Sequence, residues 1–293
     1  MSINGTNGTA STADCGELPS WGFAIGVLMG CVGSIGINIG QNIQASGLQA
    51  LPELERVRPC QSRKHNVGLG IFVSFSMLNF SALALAPASI CTPLESIQFV
   101  TNIFWNKFVN DAVVSRRMVS GVGLAVAGTG LSVAFGASSS GCHTLEELAA
   151  LWSDNGIWWA YLTISNTVAV ASYTTYKLYV RRLKQVAAKL APAPLPHHRL
   201  VMPITYTLGS ALAGGAQMIV HSKVLAEILA LLVSQGDTRV FTHWLLYVEL
   251  ALVAVCGVIW VVKLTQCLGL FDPLLILPLM VGSFILFGGI AVR

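Results

Sequence analysis

The feature that most constrains this chain is a series of eight apolar stretches, each about as long as a bilayer is thick. They run roughly over residues 21–43, 66–85, 89–108, 118–135, 157–179, 202–233, 241–262 and 273–291. A helix needs about 20 mostly apolar residues to cross the hydrocarbon core. In lipid, only elements that satisfy their own backbone hydrogen bonds are stable. A water-soluble fold is excluded by surface chemistry: Asp, Glu, Lys and Arg make up 10% of the residues, against about 25% in soluble domains. The expected fold is therefore an all-α polytopic membrane protein with about eight transmembrane helices. The sixth stretch is too long for one upright helix. Gly214-Gly215 and Lys223 inside it point to a tilted helix or a broken one.

Charge fixes the orientation, because Lys and Arg concentrate in cytoplasmic loops. Arg56, Arg58, Arg63 and Lys64 follow the first stretch, and Lys107, Arg116 and Arg117 follow the third. Lys177, Arg181, Arg182, Lys184, Lys189 and Arg199 follow the fifth, and Lys263 follows the seventh. These are 14 of the 17 basic residues, all on one side. The N-terminus is then extracytosolic. The tail agrees: it has no basic residue and carries two glycosylation sequons, at Asn4 and Asn7. Cys15 and Cys142 fall on the same outer side, in position for a disulfide. No CxxC, Cys/His spacing or HExxH indicates a resident metal, and the scattered basic residues give no nucleic-acid signal.

The chain also contains an internal echo. Leu83–Glu95 reads LALAPASICTPLE, and Leu268–Met280 reads LGLFDPLLILPLM. Pro93 aligns with Pro278, and Ala88 with Pro273. The two lie five stretches apart, so they cross the membrane in opposite directions, the mark of an inverted repeat in secondary transporters. The implied organisation is an extracytosolic tail over 1–20, a first repeat over 21–180, a basic Pro-rich cytosolic linker over 181–199 and a second repeat over 200–293. Nothing pairs with the fourth stretch, so the bundle reads as lacking its last helix.

These motifs carry a family likeness. Asn79–Leu94, NFSALALAPASICTPL, is close to the pattern NFxAYxFAPAxLVTPL of the NIPA-type magnesium transporters, within the drug/metabolite transporter superfamily. Weaker matches follow in the family's order: GCVGSIGINIGQNIQASGL over 30–48, the Gly214–Val224 stretch with Lys223 on a family lysine, and LTQCLGLFDPLLILP over 264–278. The chain departs from the pattern at Ser76, where a glutamate is common, at Leu83 in place of tyrosine, at Gln44-Ala45-Ser46, and at Glu95 in place of glycine. The resemblance implies a transporter of magnesium or related divalent cations, with no cofactor beyond the transported ion. The expected partners are the lipid bilayer and the cation, and a homodimer is left open. A transporter of a small organic solute and a non-transporting scaffold are the alternatives. An enzyme is not expected, since no nucleophile–base pair is evident.

Magnesium prefers oxygen ligands and gives up water reluctantly, and ionisable groups inside spans are costly and usually functional. Glu95, after Pro93, is the leading candidate for a cation ligand. Thr92 offers a hydroxyl beside it, and Gln98 and Asn102 follow on one helical face. Asn79 is the second candidate ligand, or else an interhelical hydrogen-bonding group. Glu249 belongs either to the ion path or to a pair with another helix, Lys223 being one partner. Lys223 lines the path or snorkels to the interface. Asp272 reads as a helix cap, with a direct ligand role as the alternative. Asn38, Gln41, Asn42 and Gln44 read as structural hydrogen-bonding groups facing the bundle. The 121–130 run, GVGLAVAGTG, reads as a close helix-packing face.

Overall fold

The computed structural model describes residues 20–52, 55–56, 62–135, 144–190 and 192–291, and all regular structure among them is helical. Asn4, Asn7, Cys15, Cys60 and Cys142 lie outside the described residues. The helices are α1 (Ser20–Gln49), α2 (Arg63–Leu85), α3 (Ala88–Leu94), α4 (Ile97–Phe108), α5 (Arg116–Phe135), α6 (Leu145–Ser153), α7 (Gly156–Ala187), α8 (His198–Ser210), α9 (Gln217–Gln235), α10 (Trp244–Leu270) and α11 (Pro273–Ala291). A π-helical turn, Ala211–Ala216, joins α8 to α9, and a 3-10 turn, Thr238–Thr242, precedes α10.

Local chemistry sets the ends. Ser62 caps α2 by accepting from the His65 N–H, Asn155 caps α7, and Asp272 caps α11 through the Leu274 N–H at 3.0 Å. α6 begins with a full capping box between Thr144 and Glu147. Gly236 ends α9 with φ +64°, a conformation glycine adopts without strain. Beyond it, Arg239 grips the Asp237 carboxylate, holding that acid below its ordinary range.

Among the described residues, five helical segments are long and apolar enough to cross a membrane: Trp21–Gln49, Arg63–Leu85, His198–Leu232, Trp244–Leu270 and Pro273–Ile290. Three of the eight expected spans take other forms. The third stretch divides at Pro93 into the short helices α3 and α4. The fourth and fifth become α5 and α7, the latter interrupted by Ser165, Asn166, Thr167, Ser172, Thr174 and Thr175. The sixth stretch is not broken: His198–Leu232 is one continuous helical segment. It runs on through the π-helical turn, which absorbs an extra residue without opening the ladder.

Glycines bring helices close. A Cβ at Gly40 of α1 would lie 2.7 Å from the Phe72 backbone nitrogen, and one at Gly68 of α2 would lie 2.6 Å from that of Gln44. The two backbones therefore touch. In the π turn, Gly214 and Gly215 admit Trp260 of α10 in the same way. The glycines of 121–130 behave differently from expectation. A Cβ at Gly121, Gly123, Gly128 or Gly130 meets nothing within 4 Å, so none of these glycines marks a close approach to another described helix.

The main apolar core joins α1 and α2 to α8, α10 and α11 through Leu48, Phe72, Trp260, Leu264, Leu268 and Leu277. A second cluster, around Leu148, Ile228 and Leu245, ties α6 and α9 to the start of α10. The polarity is inside out. Asn38, Gln41, Asn42, Gln44, Glu95, Gln98, Asn102 and Glu249 are buried, whereas Leu124, Phe135, Ile157 and Val258 are exposed. With five crossing-length helices, this distribution defines an all-helical integral membrane protein.

Candidate functional site

Two prolines build the site. Pro87 pushes Ala86 to an extended backbone (φ −138°, ψ 148°), which ends α2 and turns the chain back. Pro93 lacks an N–H, and the joint that follows closes with short-range bonds: Glu95 N–H to Thr92 O, Ser96 N–H to Pro93 O and Gln98 N–H to Glu95 O, at 3.0–3.2 Å. This joint between α3 and α4 aims Glu95 into the bundle, where it is 4% exposed. Its carboxylate accepts hydrogen bonds from Asn79 Nδ2 on α2 and Gln98 Nε2 on α4. Ser34 of α1 faces the same carboxylate.

Gln98 turns its nitrogen to Glu95 and so leaves its oxygen free. Gln98 Oε1 and Gln41 Oε1 are buried without a partner. Both residues, with Glu95 and Asn79, line a cavity of about 90 Å³ walled by Ile37, Phe72, Met218 and Trp260. It has room for a few waters. Buried polar atoms are rarely left unpaired, and each instance calls for an explanation. Here one carboxylate and residues with two unpartnered amide oxygens line one small, mostly apolar cavity.

From this cavity a ladder of amides runs along α4. Gln98 is followed by Asn102, Asn106 and Asn110. Asn106 Nδ2 donates to Asn102 Oδ1 at 3.1 Å, and Asn110 Nδ2 to Asn106 Oδ1 at 3.0 Å. Asn42 of α1 donates to Asn102 Oδ1 at 3.2 Å and to Asn38 Oδ1 at 3.0 Å. The ladder starts beside buried Glu95 and ends at exposed Asn110. The i, i+4 spacing stacks these side chains on one helical face.

The expected residues thus divide. Glu95, Asn79 and Gln98 meet, and Asn102 continues the same face. Thr92 does not join them. Fully buried, with an unpartnered hydroxyl, it turns to a separate groove of about 430 Å³ between α3, α5 and α11, where Ser96 bonds Thr129. Glu249 does not pair with Lys223. Its partner is His221 of α9, with Nδ1 2.8 Å from Oε2, and neither residue lines the Glu95 cavity. Lys223 donates to Leu83 O at 3.2 Å and lies 3.3 Å from Glu227. It is committed at the rim. Sequence reasoning assigned Gln41 to structural bonding and passed over Ser34, Asn106 and His221. The polar run of 38–44 and a histidine inside an apolar stretch were the available signals. Among the described residues, no group of three His, Cys, Asp or Glu gathers to hold a metal.

A protein of Arabidopsis thaliana named as a probable magnesium transporter, NIPA8, is 26% identical over 266 residues, covering 88% of this chain. The chain spans 58% of that relative's length. No family model matches, and no solved structure does. The all-helical membrane architecture therefore stands beside sequence similarity to a NIPA-type protein.

Proposed function

We propose that this chain moves magnesium, or a related divalent cation, across a membrane through the Glu95 cavity. The observation that carries the reading is the buried Glu95 carboxylate, held by the Asn79 and Gln98 amides, with the Gln98 and Gln41 oxygens buried without a partner in the same cavity lining. A hard divalent cation takes oxygen ligands and retains several waters, and a cavity of this size suits a partly hydrated ion. In this reading the cation displaces the amide N–H groups from Glu95 and is held by Glu95, Asn79, Gln98 and Gln41. The ladder of Asn102, Asn106 and Asn110 then leads it to one membrane face. The similarity to a protein named as a probable magnesium transporter supports the cargo.

A small organic solute fits less well. Sites for organic ligands are usually about 300–1,000 Å³, several times the 90 Å³ at Glu95. An organic anion would need a free cation, and Lys223 is engaged by Leu83 and Glu227. The proline-marked stretches of α3 and α11, which pack together, are read as partners in an inverted repeat that gives the cavity access from both sides in turn. The basic residues that follow alternate spans support an extracytosolic N-terminus, with sugars at Asn4 and Asn7 as part of the same reading.

The test is flux by the purified chain in proteoliposomes, comparing magnesium, other divalent cations and organic solutes. Magnesium uptake above that of protein-free vesicles is expected. Organic solute uptake without cation flux would overturn the cargo, and absence of any flux would favour a scaffold.

A further inference from the structure

We infer that His221 and Glu249 form a proton-binding site, distinct from the Glu95 cavity, whose proton exchanges against the transported cation. The exchange rests on the function proposed above, whereas the proton site rests on its own geometry.

Glu249 of α10 is fully buried, and His221 of α9 is 4% exposed. His221 Nδ1 lies 2.8 Å from Glu249 Oε2, in hydrogen-bonding contact, while Oε1 has no partner among the described residues. Trp158 of α7 lies edge-on to the imidazole, with ring centroids 5.9 Å apart and planes at 83°. Among the described residues, no Lys or Arg forms an ion pair with Glu249. Lys223 is held by Leu83 O and Glu227. Titratable neighbours among the described residues include Cys256 on α10 and Tyr161, stacked on Trp158, while Cys91 and Glu95 face α9 across the Glu95 cavity. α11 and the π turn carry none. Glu146 of α6 pairs with Arg239 at the exposed rim, and Glu147 closes its capping box. Tyr206 of α8 meets Gln266, near the far end of α10 from Glu249. The charged residues of α2, Arg63 and Lys64, stand at its other end from Leu83.

Charge arithmetic then gives the pair its role. With neutral imidazole and ionised carboxylate it carries one net negative charge, and with one proton more it is neutral. An uncompensated charge in such a buried setting is disfavoured, so in this proposal the resting pair holds one proton shared between imidazole and carboxylate. Releasing it to water leaves imidazole and carboxylate, with one negative charge. A divalent cation arriving nearby makes that release less costly.

α9 connects the two sites. The helix that carries His221 also sends Met218, Ile219 and Ser222 to the wall of the Glu95 cavity. The π turn at its start is a local irregularity of the kind found at functional positions.

The test has two arms, both on the full chain in lipid vesicles. First, histidine is labelled with ¹⁵N and titrated without magnesium, the His221 signal being assigned by its loss in His221→Gln. In the parent, His221 is expected to titrate as an imidazolium, and in Glu249→Gln its midpoint is expected to move to lower pH by at least one unit, a ten-fold loss of proton affinity. An imidazole neutral from pH 5 to 9 in the parent, or an unmoved midpoint in Glu249→Gln, would overturn the site. Second, magnesium is added under weak buffering with the membrane potential clamped. The parent is expected to release about one proton per cation moved, and Glu249→Gln none. Cation flux without proton movement would overturn the exchange. A normal histidine titration with no magnesium flux would leave the proton site standing and refute the proposed cargo.

Discussion

Replacing Glu95 with glutamine tests both the electrostatics and the packing of the cavity. The wild-type carboxylate accepts from Asn79 and Gln98 at once. A glutamine offers one oxygen and one NH₂ group, so one incoming donor is left facing another donor. A buried donor left unpaired costs about 1–3 kcal/mol, enough to lower the unfolding midpoint by a few degrees while leaving the bundle folded. The effect on the cation is larger. A carboxylate and a divalent ion at about 4 Å, with an effective dielectric near 20, attract by about 8 kcal/mol. If dehydration returns roughly two-thirds of this, about 3 kcal/mol remains, or a 100-fold loss of affinity. Glu95→Gln should therefore reach the membrane, remain monodisperse in detergent and take up magnesium at least 100-fold less well at limiting concentration. Glu95→Asp, which keeps the charge on a shorter stem, should be intermediate. Uptake at the parental rate by Glu95→Gln, in matched proteoliposomes with a magnesium-sensitive dye, would refute the role given to the carboxylate.

Other perturbations separate path from scaffold. Asn102→Leu removes the middle rung shared by Asn42 and Asn106; it is expected to cut uptake at saturating magnesium while leaving binding at Glu95 nearly intact, as read by flux beside equilibrium binding. Gly40→Ala places a methyl group 2.7 Å from the Phe72 backbone and should destabilise by about 1–3 kcal/mol. Gly128→Ala, with nothing within 4 Å, should be neutral or slightly stabilising in the same thermal scan. An Asn4/Asn7 double glutamine variant should lose a glycosidase-sensitive mobility shift if the tail is extracytosolic; a parent with unchanged mobility after glycosidase would contradict that orientation.

The sequence carried the elements more legibly than their contacts. Uninterrupted apolarity marked α2 and α11 almost to their ends, because length alone identifies a span. Asp272 before Pro273 read as a cap and is one. Pro93 lies inside a stretch of full spanning length, so the division into α3 and α4 was hidden by hydropathy, which cannot register one missing N–H. Glu95, Asn79 and Gln98 were found because a carboxylate and amides are conspicuous among apolar residues. Gln41 and His221 were not assigned these places, since an almost uniformly apolar helix has no contrasting face to show which way a polar residue points. Glu249 illustrates the same limit: its burial was evident, but His221 rather than Lys223 is its partner because α9 rotates that side chain toward α10. The glycines of α1 and those of α5 look alike in sequence, and only the first set touches another described helix.

The central claim is that one carboxylate and its neighbouring amide oxygens hold the cation. Crystals of the full chain grown with manganese, a stand-in for magnesium with strong anomalous scattering, test it most directly. A peak bonded to Glu95, with Asn79, Gln98 or Gln41 around it, is the expected result. A peak at any other position in the bundle, with the Glu95 carboxylate still bound to both amides, would contradict it.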